Sequence, residues 1–128
     1  MRATDSETIV KLTKRVVEDA ARKGNCVIVG RGSQQFFKTR TDTLRVFLYA
    51  SKEDKVRRLV ARGMSEKEAE ELVDAVDRER GEFIQKYFIA AWPDRVVYHT
   101  MLNTTIGDEC VANMILGLVR TYEARCTA

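Results

Sequence analysis

The 128 residues carry a net charge of +3, with 45% hydrophobic and 32% charged side chains, a balance that excludes a disordered or fibrous chain and fits one soluble domain. No apolar run approaches the roughly 18 residues of a membrane span, and MRATDSETIV lacks the apolar centre of a signal peptide, so the cytoplasm is the expected compartment. Cys26, Cys110 and Cys126 lack zinc or disulfide spacing, the lone His99 excludes any site needing two histidine ligands, and so small a positive charge does not demand nucleic acid.

The first predicted element is a helix. Thr4 and Glu7 form a capping box ahead of Ile9, Leu12, Val16, Val17 and Ala20 at helical spacing, and Gly24 ends the run. NCVIVGRG, residues 25–32, follows. Its apolar Cys26, Val27, Ile28 and Val29 read as a strand buried on both faces, with Gly30 and Gly32 allowing a sharp turn and Arg31 a fixed charge at its carboxyl end. SQQFFKTRTDT is expected to be a brief helix and a loop. A second buried strand spans Leu44, Val46, Phe47, Leu48 and Tyr49.

Ser51 and Asp54 then cap a helix carrying Val56, Leu59 and Val60, which Gly63 closes. Ser65 and Glu68 open a long charged helix whose Ala69, Leu72, Val73, Val76, Phe83, Ile84 and Tyr87 keep a helical period. Gly81 interrupts it, and because glycine costs a helix about 1 kcal/mol relative to alanine, a bend or break is expected there. Trp92 and Pro93 mark a turn. VVYHTMLNT, residues 96–104, gives a third strand, and Asp108 starts a last helix with Val111, Met114, Ile115, Leu118 and Val119 facing inward.

Strands separated by helices imply right-handed crossovers, hence a parallel sheet layered α/β/α. Three strands make that sheet thin, and an open edge invites pairing with a second copy of the chain. Three places at strand ends or on helices carry candidate chemistry. Gly30, Arg31 and Gly32 suit a phosphate, or else form a turn with an exposed arginine. Asn103, Thr104 and Thr105, after the third strand and followed by Gly107, are a second candidate site, or else initiate a turn and cap a helix. In DAVDRERGEF, residues 74–83, Asp74 with Arg78 and Asp77 with Arg80 have the spacing of helical ion pairs, so the segment is either a solvated face or an arginine clamp for phosphoryl groups.

Taken together, GNCVIVGRG, LRVFLYASKEDKVRRL, SEKEAEELVDAVDRERGEFIQKYF and YHTMLNT, in that order from about Thr8 to Leu118, resemble the cytidylate-kinase-like family of P-loop nucleoside monophosphate kinases. The resemblance implies a P-loop hydrolase-like α/β/α fold, with residues 65–91 as a helical lid inside a single domain. It implies that Arg31 lies in the monophosphate-binding region, that Asp77 and Arg80 match the lid's Asp-x-x-Arg pattern beside Arg78, and that Asn103, Thr104 and Thr105 lie near the donor's base. ATP with Mg2+ and a CMP-like acceptor (CMP or dCMP) are the implied ligands of a complete enzyme. One departure limits this.

The glycine-rich loop G-x-x-x-x-G-K-[ST], whose amides and lysine cradle ATP phosphates, does not occur in the sequence. In the family it follows a first strand that precedes the equivalent of residue 1, so the sequence reads as the family's later part. Loss of a single donor of this kind can cost about 3 kcal/mol of transition-state stabilisation, so little or no kinase activity is expected of these residues alone. The alternatives are a non-catalytic nucleotide- or anion-binding regulatory module and a self-associating interaction protein.

Overall fold

A computed structural model describes residues 3–30, 32–88 and 94–127. The chain runs α1 (Ala3–Lys23), α2 (Ser33–Phe36), β1 (Val46–Tyr49), α3 (Lys52–Ala61), α4 (Glu66–Phe88), β2 (Thr100–Asn103), a 3-10 turn (Thr104–Ile106) and α5 (Asp108–Thr127). β1 and β2 pair in parallel, Val46 opposite Thr100 and Tyr49 opposite Asn103, with α3 and α4 forming the crossover. The result is an α/β fold on a small, incomplete parallel sheet.

The predicted caps bound α3 and α4. Ser51 Oγ accepts the Asp54 N–H at 3.1 Å, and Ser65 Oγ accepts the Glu68 N–H at 3.2 Å, each satisfying an amide that a helix start leaves orphaned. Gly63, at φ 106°, takes the left-handed turn that ends α3. Between these two helices lies a core of Val56, Ala69 and Val73 with Leu59 and Met64 packed against it. α4 continues through Gly81 without the expected break. A glycine weakens a helix locally, but buried Val73 and Ile84 on either side hold α4 against its neighbours.

The expected strand at residues 26–29 does not form. Val27 is 91% and Val29 85% exposed, because among the described residues no neighbouring strand supplies a ladder or a face to bury them. The sheet therefore has two described strands where three were predicted. The last strand is also shorter than residues 96–104. A turn over residues 95–97, closed by the Val97 N–H on the Asp94 carbonyl at 3.1 Å, leaves Val96 84% exposed and delays pairing until Thr100.

β1 begins at Val46 rather than Leu44, and Arg45 and His99 join the chain segments just before the ladder: the His99 Nδ1 accepts the Arg45 N–H at 2.9 Å while the His99 N–H donates to the Arg45 carbonyl at 2.8 Å. Two helices bury less than their sequence pattern suggests. In α1, Val17 is buried while Ile9, Leu12 and Val16 remain exposed, and in α5, Val111 is buried while Met114 is exposed. α1 starts at Ala3, ahead of Thr4, and the side chain of Thr4 lies outside the described residues, as do Trp92 and Pro93.

Candidate functional site

A parallel register gathers the carboxyl ends of both strands at Tyr49 and Asn103. The chain leaving β1 enters α3 through the Ser51 cap, and the chain leaving β2 enters the 3-10 turn. Asn103 Oδ1 accepts the Thr105 N–H at 3.0 Å and its hydroxyl at 2.8 Å, which folds that turn. Thr104 Oγ1 donates to the Tyr49 carbonyl at 3.2 Å and accepts Arg58 Nη2 at 3.0 Å. Asn103, Thr104 and Thr105 thus meet at one end of the sheet, and α3 reaches them through Arg58.

Asp54 braces that arginine. Its side chain is only 9% exposed, and its Oδ2 lies 2.6 Å from Arg58 Nη2 as an ion pair without hydrogen-bond alignment, while Arg57 pairs with Oδ1. A carboxylate this buried requires a cation, and two arginines on the following turn supply it.

The expected aspartate–arginine pairs along α4 do not form. Asp74 instead pairs with Lys52 at 2.9 Å and Asp77 with Lys55 at 3.0 Å, both lysines lying on the first turn of α3. The two acids sit three residues apart on one face of α4 and the two lysines three apart on one face of α3, so a single helix contact closes both pairs. The hydrogen bond that Lys52 donates to Asp74 raises the Lys52 pKa, assisted by the charges of Asp74 and Glu70. Arg78 and Arg80 are exposed and have no hydrogen-bond or ion-pair partner among the described residues. Lys55 and Arg58, also three apart, tie α3 to Asp77 on one side and Thr104 on the other. α3 therefore joins α4 to the turn after β2.

Gly30 and Gly32 occupy a separate turn. Both have positive φ, 72° and 66°, and Gly32 leads into α2. The Ser33 hydroxyl donates to the Gly30 carbonyl at 2.9 Å and the Gln35 N–H to Gly32 at 3.0 Å. Arg31 lies outside the described residues. No hydrogen bond or ion pair among the described residues joins this turn to Asp77, Arg78, Arg80 or Asn103–Thr105.

The amino ends of the strands form a second feature. Arg45, just before β1, donates from Nε to the Val97 carbonyl at 2.7 Å and from Nη1 to the Phe37 and Arg40 carbonyls at 2.7 and 3.2 Å. It thereby fastens the loop after α2 to the turn before β2. His99 stacks at a tilt on Tyr122, ring centroids 5.3 Å apart, and the Tyr122 hydroxyl donates to the Thr41 carbonyl. Burial, then the charges of Arg45 and Arg125, hold the His99 pKa below its ordinary value. These groups line a cleft of about 560 Å³.

Lys52, Lys55, Arg58 and Arg45 were absent from the sequence reading. The matched three-residue spacing of Lys52 with Lys55 and Asp74 with Asp77 was the legible signal for the first two. Nothing in the sequence marks Arg45, whose partners are backbone carbonyls.

Comparison with known proteins agrees with this architecture. The matching family is described as cytidylate kinase-like, and the match covers residues 2–106. The chain belongs to that family. A crystal structure of an uncharacterized protein from Eubacterium ventriosum has the same fold, with a TM-score of 0.74 at 21% identity over 88% of this chain. The cytidylate kinase-like chain spans 63% of that protein's length. No curated protein sequence matches it.

Proposed function

We propose that these residues form the acceptor-binding and lid portion of a cytoplasmic nucleoside monophosphate kinase-like phosphotransferase, binding a nucleotide such as CMP or dCMP without turnover by themselves. The observation that carries this reading is the pair of lysine–aspartate bridges between α3 and α4. Because Lys52 and Lys55 neutralise Asp74 and Asp77, the neighbouring guanidinium groups of Arg78 and Arg80 keep their charge uncancelled on an anchored helix. A guanidinium in that state offers two parallel donors to phosphate oxygens. Asp77 orients the lid through Lys55, Arg31 takes the acceptor's phosphate, and Asn103, Thr104 and Thr105 lie toward the donor's base.

The described residues do not fit MgATP. The amides of Ser33 and Gln35 in the Gly30–Gly32 turn are already bound to carbonyls, no group of three carboxylate, histidine or cysteine side chains is poised for a cation among the described residues, and the sequence contains no phosphate-cradling glycine loop with its lysine. No phosphoryl-transfer step is assigned to them.

Titration calorimetry with CMP tests the proposal, with ADP release from ATP followed in parallel. Saturable CMP binding is expected, weakened tenfold or more in Arg31→Ala and in the Arg78→Ala/Arg80→Ala double variant, with no ADP release above background. Absent CMP binding, or binding indifferent to all three arginines, would overturn it.

A further inference from the structure

We propose that the cleft at the amino ends of β1 and β2 is a second anion site, built to take the dianionic phosphate group of a small molecule. It lies at the opposite end of the strands from Asn103, Thr104 and Thr105.

The charge on its walls is strongly one-sided. Among the lining residues Lys38, Arg40, Arg45 and Arg125 are cations and Asp42 is the one carboxylate. Arg40 consumes that carboxylate, its Nε on Oδ1 at 2.8 Å and its Nη2 on Oδ2 at 2.6 Å, and this contact holds the Asp42 pKa down. Glu18, on α1, acts on the same arginine. The remaining cations are uncompensated. Arg45 is surrounded by neutral carbonyls, and Lys38 and Arg125 have no ion-pair partner among the described residues.

The carboxyl end of α5 opposes an anion with about half an elementary charge, too little to cancel three cations. Burial first, then Arg45 and Arg125, disfavour protonation of His99. Its Nδ1 is committed to the Arg45 N–H, so the neutral ring carries its proton on Nε2 and adds a donor to the cleft lining.

The walls are also fixed before any ligand arrives. Arg45 clamps the loop to the turn before β2, and Tyr122 anchors α5 to Thr41 one turn from Arg125. Lys38 on the loop and Arg125 on α5 therefore line the cleft from two elements tied to each other. A phosphate monoester, whose second pKa is near 6, is a dianion at neutral pH and matches such a pair of cations. The volume, about 560 Å³, exceeds a lone phosphate ion and leaves room for an attached group.

His99 is the sole histidine, so its ring protons give a local reporter. The experiment is an NMR titration of that ring with inorganic phosphate, ribose 5-phosphate and ribose, at constant ionic strength set with chloride. Both phosphates are expected to shift the ring signals saturably and to raise the His99 pKa, while ribose does neither. Tighter binding of the ester assigns the cleft to monoesters and tighter binding of the ion assigns it to free phosphate.

Lys38→Gln with Arg125→Gln should weaken the response tenfold or more with the circular dichroism spectrum unchanged. Arg78→Ala/Arg80→Ala, which tests the nucleotide site proposed above, should leave it intact. No saturable shift with either phosphate, or a shift indifferent to loss of Lys38 and Arg125, would overturn the proposal.

Discussion

Arg45 is the residue on which the amino end of the sheet depends. It spends its guanidinium on carbonyls of four backbone positions from two loops, so its removal orphans acceptors and releases both loops at once. Arg45→Ala should lower the unfolding free energy by about 2–3 kcal/mol in a urea melt, the range for several hydrogen bonds from a charged donor. Arg45→Lys should recover less than half, because one ammonium cannot span the same carbonyls. His99 adds a pH dependence. Its folded pKa lies below the unfolded value near 6.5, so the unfolded chain binds more protons as pH falls toward and below 6.5. Its contribution to stability is therefore complete above about 6.5 and is lost as pH falls through the folded pKa. His99→Asn, whose side-chain oxygen can accept the Arg45 N–H, should flatten the urea midpoint between pH 5.5 and 7.5 relative to the parent chain.

The elements were most legible where a local rule decides them. Ser51 and Ser65 cap α3 and α4 as their spacing predicts, since an N-cap needs only its own side chain and an amide three residues on. Gly81 was misleading because helix propensity is a weak local cost, while packing of Val73 and Ile84 acts over the whole helix. The lysine–aspartate bridges were hidden behind equally good spacing within α4, and only tertiary contact chose between Lys55 and Arg80 as the partner of Asp77. Gly81 has helical backbone and open space where a Cβ would stand, so Gly81→Ala should stabilise the chain by about 0.5–1 kcal/mol. In the same melts Asp77→Asn should cost at most about 1 kcal/mol, since its bridge to Lys55 is more than one-third exposed on the aspartate side. Val73→Ala, which removes buried methyl groups from the α3–α4 core, should cost about 2 kcal/mol. A larger loss from Asp77→Asn than from Val73→Ala would mean that charge rather than packing seats α4 against α3.

At the scale of the whole molecule, buried area separates what the sequence could specify from what it could not. The family resemblance, the helix order and the parallel crossover were legible because they depend on patterns carried within the chain. The strand expected at residues 26–29 was not, because β-branched composition states that a segment can be buried, whereas burial needs a neighbour. The chain exposes 9628 Å² at 14.6 kDa, about 40% more than the ~6,900 Å² of a compact monomer of that mass, and Val27 and Val29 contribute to the excess. Side chains already in water contribute little to folding. Val27→Thr with Val29→Thr should therefore shift the unfolding free energy by less than about 0.5 kcal/mol, the range of ordinary surface substitutions. Leu102→Ala, by contrast, empties a buried position in β2 and should cost about 2–5 kcal/mol. The two variants measured side by side in urea separate the alternatives, because a double threonine substitution that costs as much as Leu102→Ala would mean that residues 26–29 are buried in solution.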